Sequence, residues 1–433
     1  MKKAIIIILS ILIITFIFYG CSDPDRENSV EESEVNSNKA NTDTQDIDEE
    51  SEIANNNMGE NGERGEIYNE DADNQSKSET EELFYSPFSG EVVDELHLRK
   101  AVIAVIENSE ASRPQSGLDD ASIVYEVLVE GGITRFLALF WDDIPEKIGP
   151  IRSARPYQIN IAEEYNALLL HAGASPEGFE MLSENTVEHL DQIYQSRYYW
   201  RSDRKAPHNL YTGQQKISSY LDKILGQEYN DRFEFKHVSL VKSNDIIVDE
   251  IRIPFWGNNT VIYKYHNDKN QYFRYYGEFE TPHMLAEKEQ IHSDNLIIQY
   301  VKTRQVDNVG RLSMSLTGRG AAVIFRDGII IKGYWQKDEN SITNFYNEQG
   351  KEVKLNPGQT WIVVVPDTIK IAYSSIKKDV SESETSEVDE DVIDEKIDVD
   401  SNKDDSEENN INQVDRIDQI YDNIENKVSG NDE

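Results

Sequence analysis

Ile123-Val124-Tyr125-Glu126-Val127-Leu128-Val129, Glu130-Gly131-Gly132-Ile133 and Thr134-Arg135-Phe136-Leu137-Ala138-Leu139-Phe140-Trp141 follow one another without a break. Two runs rich in β-branched and aromatic residues flank a pair of glycines. That is the pattern of two strands joined by a tight turn in which glycine supplies positive φ. Working outward, Ala101–Glu107 reads as a buried strand, and Pro156–Asn166 has helical character. Ala167–His171 is a further strand, and Ser175-Pro176-Glu177 starts a helix that continues through Gly178–Leu190, with serine at the cap and proline in the first turn. Strand, hairpin, helix, strand, helix is the order of a sheet covered by helices.

The later part of the chain is richer in strands. Val261–Tyr265, Tyr272–Tyr276, Leu296–Val301, Ala321–Phe325 and Thr360–Val365 carry β-branched or aromatic residues, punctuated by Asp327-Gly328 and Asn356-Pro357-Gly358. The pairs Phe255-Trp256, Tyr275-Tyr276, Tyr334-Trp335 and Phe345-Tyr346 suit core packing or a carbohydrate platform. The expected fold class is α/β (mixed α+β). A helix-covered sheet is expected over 96–228, with a smaller β-rich domain over 229–370.

The net charge of −39 belongs to the flanks. Residues 22–95 hold 24 acids and 4 bases, and residues 379–433 hold 21 acids and 4 bases, so the middle of the chain is nearly neutral. Segments of this composition bury too little apolar surface to offset their conformational entropy. Disorder is therefore expected over the tether, 22–95, and the tail, 371–433. In the coil regime the tether reaches on the order of 50 Å. Acidic flanks argue against nucleic acid and anionic lipid as direct partners. Within the tail, Ile411, Val414, Ile417, Ile420 or Tyr421, Ile424 and Val428 form an apolar stripe at helical spacing, which suits either a weak helix or a docking helix.

Residues 1–21 form an export signal: Lys2 and Lys3, the apolar run Ala4–Phe18, then Gly20-Cys21. Cys21 is the single cysteine of the chain, so it forms no internal disulfide. Its setting resembles the bacterial lipobox, with Phe18 and Tyr19 in place of the usual leucine and small residue. The resemblance implies a protein held by lipidated Cys21 at the extracytoplasmic face of the bacterial cell membrane.

No Cys or His cluster has metal-site spacing, and neither GxxxxGK[ST] nor GxSxG occurs. No metal and no cofactor is expected. What stands out is arginine usage: seven arginines against one lysine, Lys147, between Ala101 and Arg204. Arg113, Arg135, Arg152, Arg155, Arg201 and Arg204 lie beside turn-formers, and Arg201 and Arg204 precede His208-Asn209. Guanidinium presents a planar fork of donors that matches phosphate or carboxylate, which lysine cannot reproduce. His171 ends an apolar run just before a helix start, the sheet edge where open α/β folds bind ligands. The candidate binding residues are therefore Arg113, Arg135, Arg152, Arg155, His171, Arg201, Arg204, His208 and Asn209. The structural alternative pairs these arginines with Glu126, Glu130, Glu163 and Glu164.

Arg113-Pro114-Gln115-Ser116-Gly117-Leu118, Glu130-Gly131-Gly132-Ile133-Thr134-Arg135-Phe136, Gly149-Pro150-Ile151-Arg152-Ser153-Ala154-Arg155-Pro156, His171-Ala172-Gly173 and Ala206-Pro207-His208-Asn209-Leu210-Tyr211 together resemble the YerB-like family. Those are bacterial lipoproteins, mainly of Gram-positive bacteria, built on a domain of unknown function. Gly333-Tyr334-Trp335 and Asn356-Pro357-Gly358-Gln359-Thr360-Trp361 are similar to its C-terminal domain. The resemblance covers roughly 98–368 and implies a two-domain lipoprotein with an α/β-type first domain; it brings no established activity. Three functions compete. The first is an envelope lipoprotein holding an anionic cell-wall component or envelope protein. The second is an enzyme on lipid-linked or wall-polymer phosphates. By analogy with the LytR-CpsA-Psr phosphotransferases, magnesium would then be held by acids such as Asp119, Asp120, Asp142, Asp143 or Asp203. The third is a scaffold acting through the acidic tail.

Overall fold

The computed structural model describes residues 83–377 except 225, 227–228, 230–231, 237–245, 257–258 and 340. The export signal with Cys21, most of the tether, and the tail stripe lie outside the described residues. In chain order the main strands are β1 (Val102–Glu107), β2 (Ile123–Leu128), β3 (Thr134–Phe140), β4 (Leu168–His171), β5 (His189–Asp191), β6 (Ile246–Pro254) and β7 (Thr260–His266). They continue with β8 (Gln271–Tyr276), β9 (Asn295–Val301), β10 (Gly318–Arg326), β11 (Ile329–Lys337), β12 (Asn344–Asn347), β13 (Thr360–Pro366) and β14 (Ala372–Lys377). The α-helices are short: α1 (Pro156–Glu164), α2 (Pro176–Ser183) and α3 (Gln214–Leu221).

The hairpin read from Ile123 to Trp141 forms as β2 and β3, with Gly131 and Gly132 at φ +72° and +73°. It sits inside a ten-stranded sheet of order β12-β11-β10-β9-β13-β2-β3-β1-β4-β5. β9, β13 and β2 pair in parallel, as do β1, β4 and β5. β3 lies antiparallel between β1 and β2. The carboxyl ends of all six parallel strands therefore share one edge. The same sheet carries strands from both halves of the described chain, because β13 docks directly onto β2.

A second sheet, β8-β7-β6-β14, is extended at β8 by Thr281–Pro282 and His292–Ser293. It covers one face of the first: Tyr263 and Arg274 pack against Trp361, and Arg274 and His283 against Phe136. Side-chain alternation along β2 explains how one strand serves two layers. Tyr125 points to the other face, where its hydroxyl meets that of Tyr165 beyond α1 at 2.9 Å, while Glu126 points at Arg274. The described structure is thus mostly strand, and the expected helix-covered sheet is corrected: a second sheet covers one face, and the three α-helices among the described residues have only eight or nine residues each.

Three boundaries also move. The helix expected through Leu190 ends at Ser183. Asn185 then turns the chain at φ +56°, and His189–Asp191 pairs with β4 as a strand. At the tether's end, Phe84–Tyr85 pairs with Val92–Val93, and Phe88 is fully buried against Trp141, Tyr165 and Tyr229. That stretch holds Phe84, Tyr85 and Phe88, three of the tether's four aromatics. Ala372–Lys377, placed in the tail, is strand β14 on β6.

Candidate functional site

β1 and β4 pair only over Val102–Ala104 and Leu168–Leu170, then diverge. The segment Ile151–Ala154 fills the gap. Arg152 N–H donates to the Val105 carbonyl, Ala172 N–H to the Arg152 carbonyl, and Ala154 N–H to the Gly173 carbonyl. A crevice at the carboxyl edge is where open α/β sheets bind ligands; here it is occupied by the chain that carries Arg152 and Arg155.

Glu107, at the end of β1, is the hub. Its Oε1 accepts from Arg152 Nη2 at 2.8 Å and from Ser109 Oγ at 2.7 Å, and its Oε2 lies 2.9 Å from His208 Nδ1. Burial pushes this carboxyl up, but the bonds from Arg152, Ser109 and His208 outweigh it and hold its pKa below the ordinary glutamate value. Glu107 is nearly enclosed, its side chain 7% exposed, whereas Arg152 and His208 are 26% and 21% exposed. Next to Glu107 across the ladder, Arg135 donates to the Ser153 carbonyl. Burial, with Arg155 and Arg152 close by, pulls its pKa down to about 10. Arg155 caps α1 and grips Glu130 with two bonds, Nε–Oε1 at 2.7 Å and Nη2–Oε2 at 2.8 Å.

Behind this rim lies a buried network that sequence reasoning missed. Glu126 and Arg274, both fully buried, pair at 2.8 Å. Asn108 and Thr134 also donate to Glu126 Oε1, at 3.3 and 2.7 Å. Arg274 donates to His283 Nδ1, and His283 Nε2 donates to Gln115 Oε1 at 2.9 Å. Burial, reinforced by Arg274 and Arg113, keeps that imidazole neutral by pushing its pKa well below the usual histidine value. The available signal was a charged residue inside an apolar strand, Glu126 in β2 and Arg274 in β8.

Arg113 joins this group through Asn108, with Nε–Oδ1 and Nη2–O both at 3.2 Å, and lies 4.0 Å over the Tyr276 ring. Burial and the neighbouring Arg274 lower its pKa. Arg204 supports the same turn from outside. It donates to the carbonyls of Ala111, Arg113 and Pro114 at 3.0–3.1 Å and to Tyr211 Oη at 2.9 Å. Arg201 is exposed and donates to Asn209 Oδ1 at 2.9 Å. The turns carrying Arg113-Pro114, Gly149-Pro150 and Ala206-Pro207 each hold a cis peptide bond.

The structure therefore brings Arg113, Arg135, Arg152, Arg155 and His208 to one rim. Arg204 stands behind the Arg113 turn, and Arg201 and Asn209 lie on the neighbouring ribbon. His171 is fully buried: its Nδ1 donates to the Gly173 carbonyl at 2.9 Å, and its Nε2 accepts from His189 Nδ1 at 3.0 Å. Burial lowers its pKa, as befits a satisfied interior histidine. Asp119, Asp120, Asp142 and Asp143 lie towards the opposite sheet edge, and Asp142 Oδ2 accepts from Ser86, Ser122 and Ser89. Among the described residues no group of three or more His, Cys, Asp or Glu side chains is placed to hold a metal ion. A separate polar cleft of about 590 Å³ runs past Glu163, Glu164, Arg232 and Lys337, where Glu164 is already paired with Lys337 at 2.7 Å. No helix among the described residues is long and apolar enough to cross a membrane.

Residues 88–227 match the N-terminal domain of the family described as a protein of unknown function, DUF3048, and residues 251–362 match its C-terminal domain. The chain is 31% identical to "Putative lipoprotein YerB" of Bacillus subtilis (strain 168) over 278 residues, 62% of this chain and 82% of that protein. The crystal structure of the YerB protein from Bacillus subtilis superposes with a TM-score of 0.59 at 29% identity, covering 66% of this chain and 99% of that one. With both family domains matched in order, this chain belongs to the YerB-like DUF3048 family.

Proposed function

We propose that this protein is an envelope lipoprotein, anchored through Cys21 at the extracytoplasmic face, that binds an anionic group at the carboxyl rim of its ten-stranded sheet. One observation carries the reading. Five guanidinium groups gather there with three carboxylates, paired as Arg152–Glu107, Arg155–Glu130 and Arg274–Glu126. Arg113 and Arg135 are left half-buried with no ion pair among the described residues. Burial and like-charged neighbours make both cations costly as they stand, and an incoming phosphate would relieve that cost.

Titration calorimetry of the full chain with inorganic pyrophosphate tests this. Arg113→Met and Arg135→Met should each weaken binding at least tenfold, while Arg304→Met, on the exposed Thr303–Gln305 strand, leaves it unchanged. At a hundred times Kd the ligand should stabilise the fold by about 2.7 kcal/mol. Absence of both heat and stabilisation at millimolar pyrophosphate would refute the reading.

One feature favours a second, catalytic reading. With Nδ1 held by Glu107, His208 keeps Nε2 unpartnered among the described residues, the arrangement of an oriented general base. A phosphate-ester hydrolysis or transfer that His208→Gln abolishes without weakening pyrophosphate binding would support it.

A further inference from the structure

The geometry points to an amphiphilic ligand: a phosphate or pyrophosphate ester whose hydrocarbon chain lies along the rim beside the arginines. This rests on the anion-binding reading and specifies its substrate class. Exposed apolar side chains bracket the arginine group on both sides. On one side Ile133 is 40% exposed in the β2–β3 turn, and Trp256 is 44% exposed next to it. A Cβ on Gly132 would lie 2.8 Å from the Trp256 carbonyl, and Asn259 Nδ2 donates to the Gly132 carbonyl at 3.1 Å. On the other side Ile193 and Tyr194, 58% and 77% exposed, follow β5. A Cβ on Gly173 would lie 3.0 Å from Ile193 Cδ1 and 4.0 Å from Ser153 Oγ, and the Ser153 carbonyl is what Arg135 holds.

The order along the edge is therefore Ile193 and Tyr194, then Ser153 with Arg152, then Arg135, then Ile133 and Trp256. With Ile151–Ala154 inserted between β1 and β4, the edge from β5 to β2 crosses five backbone spacings, roughly 24 Å at about 4.8 Å each. Single exposed apolar residues are ordinary on a protein surface. Here Ile133 stands two residues before Arg135, and Ile193 lies against Gly173 beside Ser153, whose carbonyl Arg135 holds. A free inorganic anion would use the arginines and leave the apolar flanks in water; a lipid-linked phosphate uses both. A uniformly anionic bilayer fits less well, because the acidic tether and tail repel it.

The test measures binding of farnesyl diphosphate and inorganic pyrophosphate to the full chain in phosphatidylcholine nanodiscs, with empty nanodiscs subtracting partition. Farnesyl diphosphate should bind at least tenfold tighter than pyrophosphate. Trp256→Ser combined with Ile193→Ser should remove that advantage and leave pyrophosphate affinity unchanged. Equal affinities for the two ligands would overturn the inference while the anion site stands. Binding of neither would overturn both. Binding of phosphatidylglycerol vesicles alone, with neither soluble ligand retained, would overturn it in favour of a membrane-docking face.

Discussion

Replacing Arg274 by methionine isolates the energetics behind the rim. Arg274 and Glu126 are both fully buried and 2.8 Å apart, and Arg274 Nε has no partner among the described residues. Methionine keeps an apolar stem against Phe136 and Trp361, where the guanidinium now lies. The main loss is then the countercharge of Glu126. Breaking one side of a buried pair costs about 3–5 kcal/mol, because the remaining charge is stranded away from water. Thr134 and Asn108 still donate to Glu126, which places the expectation near the lower end, about 3 kcal/mol. At roughly 2–4 °C per kcal/mol for a unit of this size, the melting temperature should fall by about 6–12 °C. Adding Glu126→Gln removes the stranded charge while keeping an acceptor for Thr134 and Asn108. The double variant should therefore recover about 2 kcal/mol relative to Arg274→Met alone. Urea unfolding followed by tryptophan fluorescence reads all three, since Trp141 and Trp361 are buried. A loss below about 1 kcal/mol for Arg274→Met, or strictly additive effects, would refute the reasoning.

Glu107 should shape the acid limb of stability. Its folded pKa is depressed, so its contribution is full above the unfolded value of about 4.3 and disappears as pH falls through the lower folded one; Glu107→Gln should flatten that part of a urea-denaturation series between pH 5 and 2. Arg204→Ala should cost about 1.5–3 kcal/mol by freeing the carbonyls of Ala111, Arg113 and Pro114, with lysine rescuing only part because it lacks the fork; chemical denaturation of the three proteins decides. Gly333→Ala should destabilise by about 1–3 kcal/mol, since a Cβ there would lie 1.8 Å from the Tyr346 carbonyl across β11 and β12; an unchanged melting temperature would show that those strands yield freely.

Local pattern carried much of the fold. The alternation and glycine pair of Ile123–Trp141 specified a hairpin, and Ser175-Pro176 specified a helix start whose serine accepts from Gly178 N–H at 3.2 Å. Val261–Tyr265, Tyr272–Tyr276, Leu296–Val301, Ala321–Phe325 and Thr360–Val365 all fall within strands. The end of α2 was misread because Val187 and Leu190 continue an apolar periodicity that helix and strand share over short runs. β6, β11 and β12 went unread; β6 finds β14 more than a hundred residues on, whereas β11 pairs with its chain neighbours β10 and β12, where half-buried and buried residues mix without a clear local pattern. Of the candidates chosen by residue type, Arg113, Arg135, Arg152, Arg155 and His208 share one rim, whereas His171 is interior and Arg201, Arg204 and Asn209 lie beside it; residue type marks candidates but not their grouping. Glu107 and Arg274 were not singled out, because a charge at the end or middle of a strand marks itself as unusual but says nothing about what faces it.

The sequence by itself determined the charge partition, the short-range hairpin and the wealth of guanidinium groups in the turns, because composition, two-residue alternation and glycine torsion act within a few residues. Only the tertiary structure decided that β13 docks on β2 and that Ile151–Ala154 wedges between β1 and β4. It also decided that, among the described residues, Arg152, Arg155 and Arg274 are matched by carboxylates while Arg113 and Arg135 are not. Those outcomes depend on which backbone edges and which charges meet after burial, and pairings between groups as far apart as Arg155 and Glu130, or Arg274 and Glu126, leave no local trace in the chain.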